Sequence, residues 1–299
     1  MMTAASAPSR AAIAIALATV YVIWGSTYLA IRWALEGGFA PFLLGGCRFL
    51  LAGGALYAFL RWRGQPAPTA AQWRTLLVMG LLLLGLGNGM VNLAETSVSS
   101  GLAAVAVASA PLWMGVFSAL RGHAPNRIEW IGLAVGFAGV IWLHAGSTLN
   151  ASTQALIALL IAPLAWAFGS IWSRGRDLPS PFMTAAGQML CGGAVMLLAG
   201  LLLGERWHAP TPKAWAAFGY LVVFGSCLGF TAYIWLLQHV RPALAGSYAY
   251  VNPAIAVLFG ALLAHERFDW LEIAAMTVIV SGVLVITIAK SRAKATTPG

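Results

Sequence analysis

Residues 11–31 read AAIAIALATVYVIWGSTYLAI, twenty-one consecutive positions without an acid or a base. A helix rises about 1.5 Å per residue, so roughly 20 residues span the hydrocarbon core of a bilayer. Trp24, Tyr28 and Arg32 occupy the place where a cleavable signal peptide would carry small residues. The segment is therefore expected to remain as a membrane span. Similar apolar runs follow at 41–60, 73–94, 99–120, 128–145, 151–172, 181–203, 214–237, 243–264 and 270–289. Their length excludes the 10-residue alternation of a membrane β-barrel, which leaves helices to satisfy the backbone in lipid. The expected fold is all-α, a polytopic membrane protein of ten transmembrane helices.

Composition points the same way. Of 299 residues, 60% are hydrophobic and only 8% charged, with a mean hydropathy of +0.83, whereas a soluble domain carries about 25% charged residues. The formal charge of +9 does not indicate a nucleic-acid partner, because the bases form no stripe and sit in short loops. Lys and Arg are placed there to face an anionic cytoplasmic leaflet, which makes the lipid bilayer the partner. Counting alternate loops gives twelve bases on one side, among them Arg10, Arg61, Arg63, Arg121, Arg174, Arg176 and Arg241. The other side has four, Arg32, Arg206, Lys213 and Arg267, with most of the acids. Both termini are expected in the cytoplasm of a bacterial-type inner membrane. Cys47, Cys191 and Cys227 lie within apolar runs without metal-ligand spacing and read as buried thiols.

The chain also matches itself. An offset of 142 superposes Trp24 on Trp166, Trp73 on Trp215, Gly87 on Gly229, Pro111 on Pro253 and His123 on His265. One further slip aligns Gly139-Val140 with Gly282-Val283, and an offset of 140 aligns Pro41-Phe42 with Pro181-Phe182 and Gly53 with Gly193. Residues 1–147 and 148–299 are thus expected to be two five-helix repeats. Five is odd, so the second repeat enters the membrane inverted. That architecture provides alternating access to a midplane site between the halves.

Trp24-Gly25-Ser26 of the first span, Ala110-Pro111 and Asn252-Pro253 of the fourth and ninth, and the Gly-Val pairs of the fifth and tenth resemble the drug/metabolite transporter superfamily. The likeness is to its ten-helix EamA-type branch, covers essentially the whole chain, and extends to aromatic amino acid exporters. It implies an exporter of metabolites, amino acids or amphipathic compounds, with the first, third, fourth, sixth, eighth and ninth helices around a central cavity.

Polar groups inside lipid are costly unless they pair or line water. Asn88 and Asn92 share a helix face, and Asn252 adjoins Pro253; these amides suit a substrate's amino or carboxylate group, interhelical bonding being their structural alternative. Trp24, Trp113, Trp166, Tyr233 and Tyr250 are deep aromatics on presumed lining helices, suited to a flat apolar cargo or an organic cation, or to plain packing. Pro111 and Pro253 are expected to kink or shape the fourth and ninth helices during gating. Arg48, equivalent to Gln188, is the basic residue well inside a span, where snorkelling or carbonyl pairing competes with anion binding. No phosphate-binding loop indicates a nucleotide, no cluster indicates a metal, and no cofactor is implied. No carboxylate lies mid-span, Glu95 standing at a span end, so facilitated diffusion or exchange is expected. The favoured function is export or exchange of small molecules, amino acids of the apolar or aromatic kind above all. A multidrug exporter, a channel and an intramembrane enzyme on lipid-linked substrates are the alternatives.

Overall fold

A computed structural model describes residues 8–98, 103, 106–143, 152–255, 270–271, 274, 277–282 and 284–285. His144, His265, Val283, the loop around Gly146 and the charges from Glu266 to Arg267 lie outside the described residues, as do Asp269, Glu272 and those beyond 285. Regular structure among the described residues is helical throughout. In chain order it comprises α1 (Arg10–Glu36), α2 (Pro41–Trp62), α3 (Ala70–Ala94), α4 (Ala110–Leu120), α5 (Arg127–Leu143), α6 (Thr153–Trp172), α7 (Pro181–Leu202), α8 (Pro212–His239) and α9 (Pro242–Gly246). Past a turn at Ser247 the chain is helical again over 248–255. Among the described residues, six helices (α1, α2, α3, α6, α7, α8) are long and apolar enough to cross a membrane.

Each start has a local cause. Ser9, Thr69, Ser152, Ser180 and Thr211 accept a hydrogen bond from the backbone N–H three residues on, satisfying a donor the helix leaves unpaired. Thr69 and Gln72 reciprocate in a capping box. Pro41, Pro181, Pro212 and Pro242 stand in first turns, where a missing N–H costs nothing. α2 lacks a side-chain cap of its own. Glu205, from the loop after α7, accepts from the N–H of Leu43 at 2.9 Å and of Phe42 at 3.1 Å, adding an anion to the positive end of that helix.

The longest helix–helix contact pairs α2 with α7, and it is reciprocal. A Cβ on Gly53 would lie 2.9 Å from both the Ala186 oxygen and the Leu190 nitrogen. A Cβ on Gly193 would lie 2.8 Å from the Leu50 nitrogen and 3.1 Å from the Gly46 oxygen. The offset of 140 carries the first set of residues onto the second, so the two helices exchange the same contacts across their crossing. Only glycine permits that approach.

The loops gather at two ends. At one, His208 and Thr211 donate backbone N–H groups to Gly38 and Gly37. At the other, Arg121 donates to the Ile171 carbonyl, Arg174 to those of Leu237 and Val240, Arg241 pairs with Glu129 at 2.8 Å, and Gln72 donates to Asp177. Gly132 and Gly136 meet Gly282 closely, an approach that small residues allow between membrane helices. Gly204 does not pack. It has φ +72 in open space, closing the turn after α7.

Candidate functional site

Two stretches of helix depart from α geometry, and they occupy matching places. Gly80–Asn88 in α3 and Leu221–Phe230 in α8 are wound as π-helix, and an offset of 142 overlays them. π segments widen a helix locally and recur at functional sites. Both are Gly-rich, and each opens against a tryptophan of the opposite half. A Cβ on Gly87 would lie 2.8 Å from the Trp166 ring, and one on Gly229 would lie 2.6 Å from the Trp24 indole nitrogen. The two tryptophans and the two glycines are each other's repeat equivalents.

Trp24 and Trp166 meet edge to face at 5.6 Å between ring centroids. Around them lie Tyr248, 4.8 Å from Trp24, and Tyr233, 5.3 Å from Trp166, with Phe230 and Phe49 beyond. Offset and edge-on pairs of this kind add about 0.5–1.5 kcal/mol each beyond area burial, so the cluster is a firm wall. Polar bonds fix its orientation. The Trp24 indole N–H donates to the Gly225 carbonyl at 3.0 Å, and that of Trp166 donates to the Tyr233 hydroxyl at 2.9 Å, itself 2.7 Å from Ser170.

A cavity opens beside this wall, bounded by α1, α2, α3, Val107 and the start of α4 at Ala110, α6, α8 and the 248–255 helix. Trp24, Thr27, Tyr28 and Ile31 face it from α1, with Arg48 and Phe49 from α2 and Gly87, Asn88 and Val91 from α3. Ala162, Pro163 and Trp166 line it from α6, Gly225 and Phe230 from α8, and Tyr248 and Asn252 close it. Aromatic faces dominate, and few polar groups converge. Arg48 is 3% exposed, donates from Nε to the Ser226 hydroxyl at 2.7 Å, and sits over the Phe49 ring at 4.7 Å. The side-chain oxygens of Asn88 and Asn252 are buried without a hydrogen-bond partner.

Of the residues singled out in the sequence, Trp24, Asn88, Trp166 and Asn252 come together on this cavity. Tyr233 stands directly behind Trp166. Asn92 points away, donating to the Pro41 carbonyl at 3.1 Å. Trp113 leans on Phe117, and Tyr250 is fully buried against Gly136 among Leu133, Val140 and Ile279. Pro111 lies in the first turn of α4 just past a turn at 108–109, and Pro253 within the 248–255 helix. Tyr28, Phe49, Pro163, Phe230 and Tyr248 were not anticipated. Tyr28 lies four residues from Trp24, Pro163 three from Trp166 and Phe230 three from Tyr233, so each shares a helix face with a residue singled out in the sequence. Glu95 ends α3 with both carboxylate oxygens buried and without a hydrogen-bond partner, in the electrostatic reach of Arg32 and Tyr28. Among the described residues no group of three His, Cys, Asp or Glu side chains could hold a metal.

A helical membrane protein with an aromatic interior cavity is of the class that moves small molecules across a bilayer. The chain belongs to the EamA-like transporter family, whose pattern it matches twice, over residues 11–144 and 153–288. It is 43% identical to the "Uncharacterized inner membrane transporter YedA" of Escherichia coli K12, over 92% of this chain and 90% of that protein. Identity with the "Uncharacterized transporter YoaV" of Bacillus subtilis is 25%, over 92% and 97% of the two chains. A solved crystal structure shares the fold, with a TM-score of 0.78 at 21% identity, over 95% of this chain and 99% of that one. The chain is an integral inner-membrane protein.

Proposed function

We propose that this transporter exports or exchanges small organic metabolites, with apolar and aromatic amino acids as the favoured cargo. Ten transmembrane helices in two inverted five-helix repeats, residues 1–147 and 148–299, alternate in exposing the cavity, and both termini are cytoplasmic. The observation that carries this reading is the exchange of contacts between halves, Trp24 on Gly229 and Trp166 on Gly87. It supports a two-fold relation whose axis passes beside the cavity, the position at which inverted repeats hold their cargo. Pro111 and Pro253 shape the helices beside it, and Trp24, Trp166, Tyr28 and Tyr248 supply flat faces for an aromatic side chain. Asn88 and Asn252 offer acceptors to an amino group. Of the remaining candidates, Tyr233 backs the wall through Trp166, whereas Asn92, Trp113 and Tyr250 pack outside the cavity.

The test is uptake into proteoliposomes of the purified protein across an amino-acid panel, with and without a pH gradient. Aromatic members are expected to enter fastest and to stop at equal concentrations whatever the pH difference, since among the described residues no carboxylate lines the cavity. Accumulation driven by a pH gradient would contradict uncoupled transport. Its loss in Glu95→Gln would identify Glu95 as the proton carrier.

A further inference from the structure

Among the described residues that line the cavity, Arg48 is the one full charge, and no acid lines it beside Arg48. Arg48 is almost entirely buried on α2, yet it enters neither of the two ion pairs found among the described residues. Its Nε donates to the Ser226 hydroxyl, which leaves the two terminal nitrogens toward the cavity. Both of its neighbours are adapted to it. Ser226 sits in the π segment of α8, and the adjacent Gly225 leaves room that a Cβ would take, 2.7 Å from an Arg48 terminal nitrogen. Phe49 offers its ring face to the guanidinium. A hydroxyl and a ring orient a cation without neutralising it, and an isolated charge at membrane depth costs several kcal/mol.

We infer that Arg48 is the receptor for a carboxylate on the cargo, its planar fork left free by Ser226 to bind both carboxylate oxygens. This rests on the proposed carrier function and narrows it to cargo that joins an apolar or aromatic body to an anionic end. The guanidinium geometry suits that group, since two parallel N–H donors match two carboxylate oxygens. The opposite polarity lies on the same cavity. The unpartnered amide oxygens of Asn88 and Asn252 are acceptors on the same cavity and suit an ammonium group. An organic cation without a carboxylate would meet Arg48 as a like charge and is excluded. That separates the amino-acid assignment from the multidrug one.

Three probes of one shape test this in proteoliposomes: L-phenylalanine, 3-phenylpropanoate, which lacks the amine, and phenethylamine, which lacks the carboxylate. Wild-type protein is expected to take up the first two and to reject phenethylamine. Arg48→Gln should lower uptake of both carboxylates about ten- to a hundredfold, the worth of a charge-assisted hydrogen bond. Arg48→Lys, which keeps the charge but not the fork, should fall between. Size-exclusion profiles in detergent report folding, and if Arg48→Gln fails to fold, Arg48→Lys and the wild-type probe ranking decide. Phenethylamine entering wild-type vesicles as fast as phenylalanine overturns the carboxylate receptor while leaving the carrier intact. Undiminished carboxylate uptake by folded Arg48→Gln does the same. If none of the three enters wild-type vesicles and none quenches the tryptophan fluorescence of the protein, the carrier assignment falls with it.

Discussion

Trp24 and Trp166 illustrate how a single side chain acquires a role through what faces it. Each is packed on a glycine of the other half and tied by its indole N–H, so neither ring is free to be replaced by solvent or lipid. Replacing either by Ala should cut uptake of aromatic amino acids about two- to tenfold, because an aromatic pair is worth about 0.5–1.5 kcal/mol. The same change at Tyr250, buried away from the cavity, should lower protein yield instead, by the roughly 3–5 kcal/mol of a lost core aromatic. Unchanged uptake in both tryptophan variants, with protein intact, would return those rings to a packing role. The sequence singled out Tyr250 and passed over Tyr248, and the reason is geometric. Two residues apart on a helix lie about 200° apart, and a helix apolar on all sides has no polar face to mark which one looks inward. Arg48 was conspicuous as a charge within a span, but Ser226, 178 residues away, carries no sign of being its partner.

Among the elements, the paired π segments set the shape of the cavity. They bring Gly87 and Gly229 against the indoles, so adding one methyl at either should displace the facing tryptophan. Overpacking of this kind costs about 1–3 kcal/mol. Gly229→Ala is expected to reduce transport several-fold, and the smaller ring of Trp24→Phe placed in the same chain should recover part of that loss. Gly87→Ala with Trp166→Phe should behave alike, because the contacts are equivalent. If either glycine variant transports normally, the close fit at that position has no functional weight. Helix existence was legible, since long charge-free runs admit little else, and most starts were marked by Ser, Thr or Pro. The π winding was not legible. GLLLLGLGN and LVVFGSCLGF read as ordinary apolar helix, and only the packing of a large ring on a small residue reveals the difference. The fourth segment, expected over 99–120, is interrupted at 108–109 between helical residues 106–107 and α4, and that turn was not legible because it contains only Ala and Ser and breaks no apolar pattern.

For the whole molecule, the repeat was legible because Trp, Pro and Gly anchors recur at nearly constant offset, and the grouping of loops because charge in a membrane protein collects at loops. The arginines counted on the richer side do meet at one end, Arg121, Arg174 and Arg241 each reaching across to another element. Reporter fusions after Arg63, Arg121, Arg176 and Arg241 should therefore read as cytoplasmic and one after Gly146 as external. An external signal at any of the first four would reverse the inversion argument. The cargo was not legible, since no residue pattern names a metabolite. Counterflow in proteoliposomes tests the central claim most directly. Vesicles loaded with unlabelled L-tryptophan and diluted into a trace of labelled L-tryptophan should show a transient overshoot of label, which exchange through alternating access produces and a channel does not. Wild-type protein should show that overshoot and the Trp24→Ala/Trp166→Ala double variant should lose it. Label that enters without overshoot, or an overshoot undiminished in the double variant, would contradict carriage through this cavity.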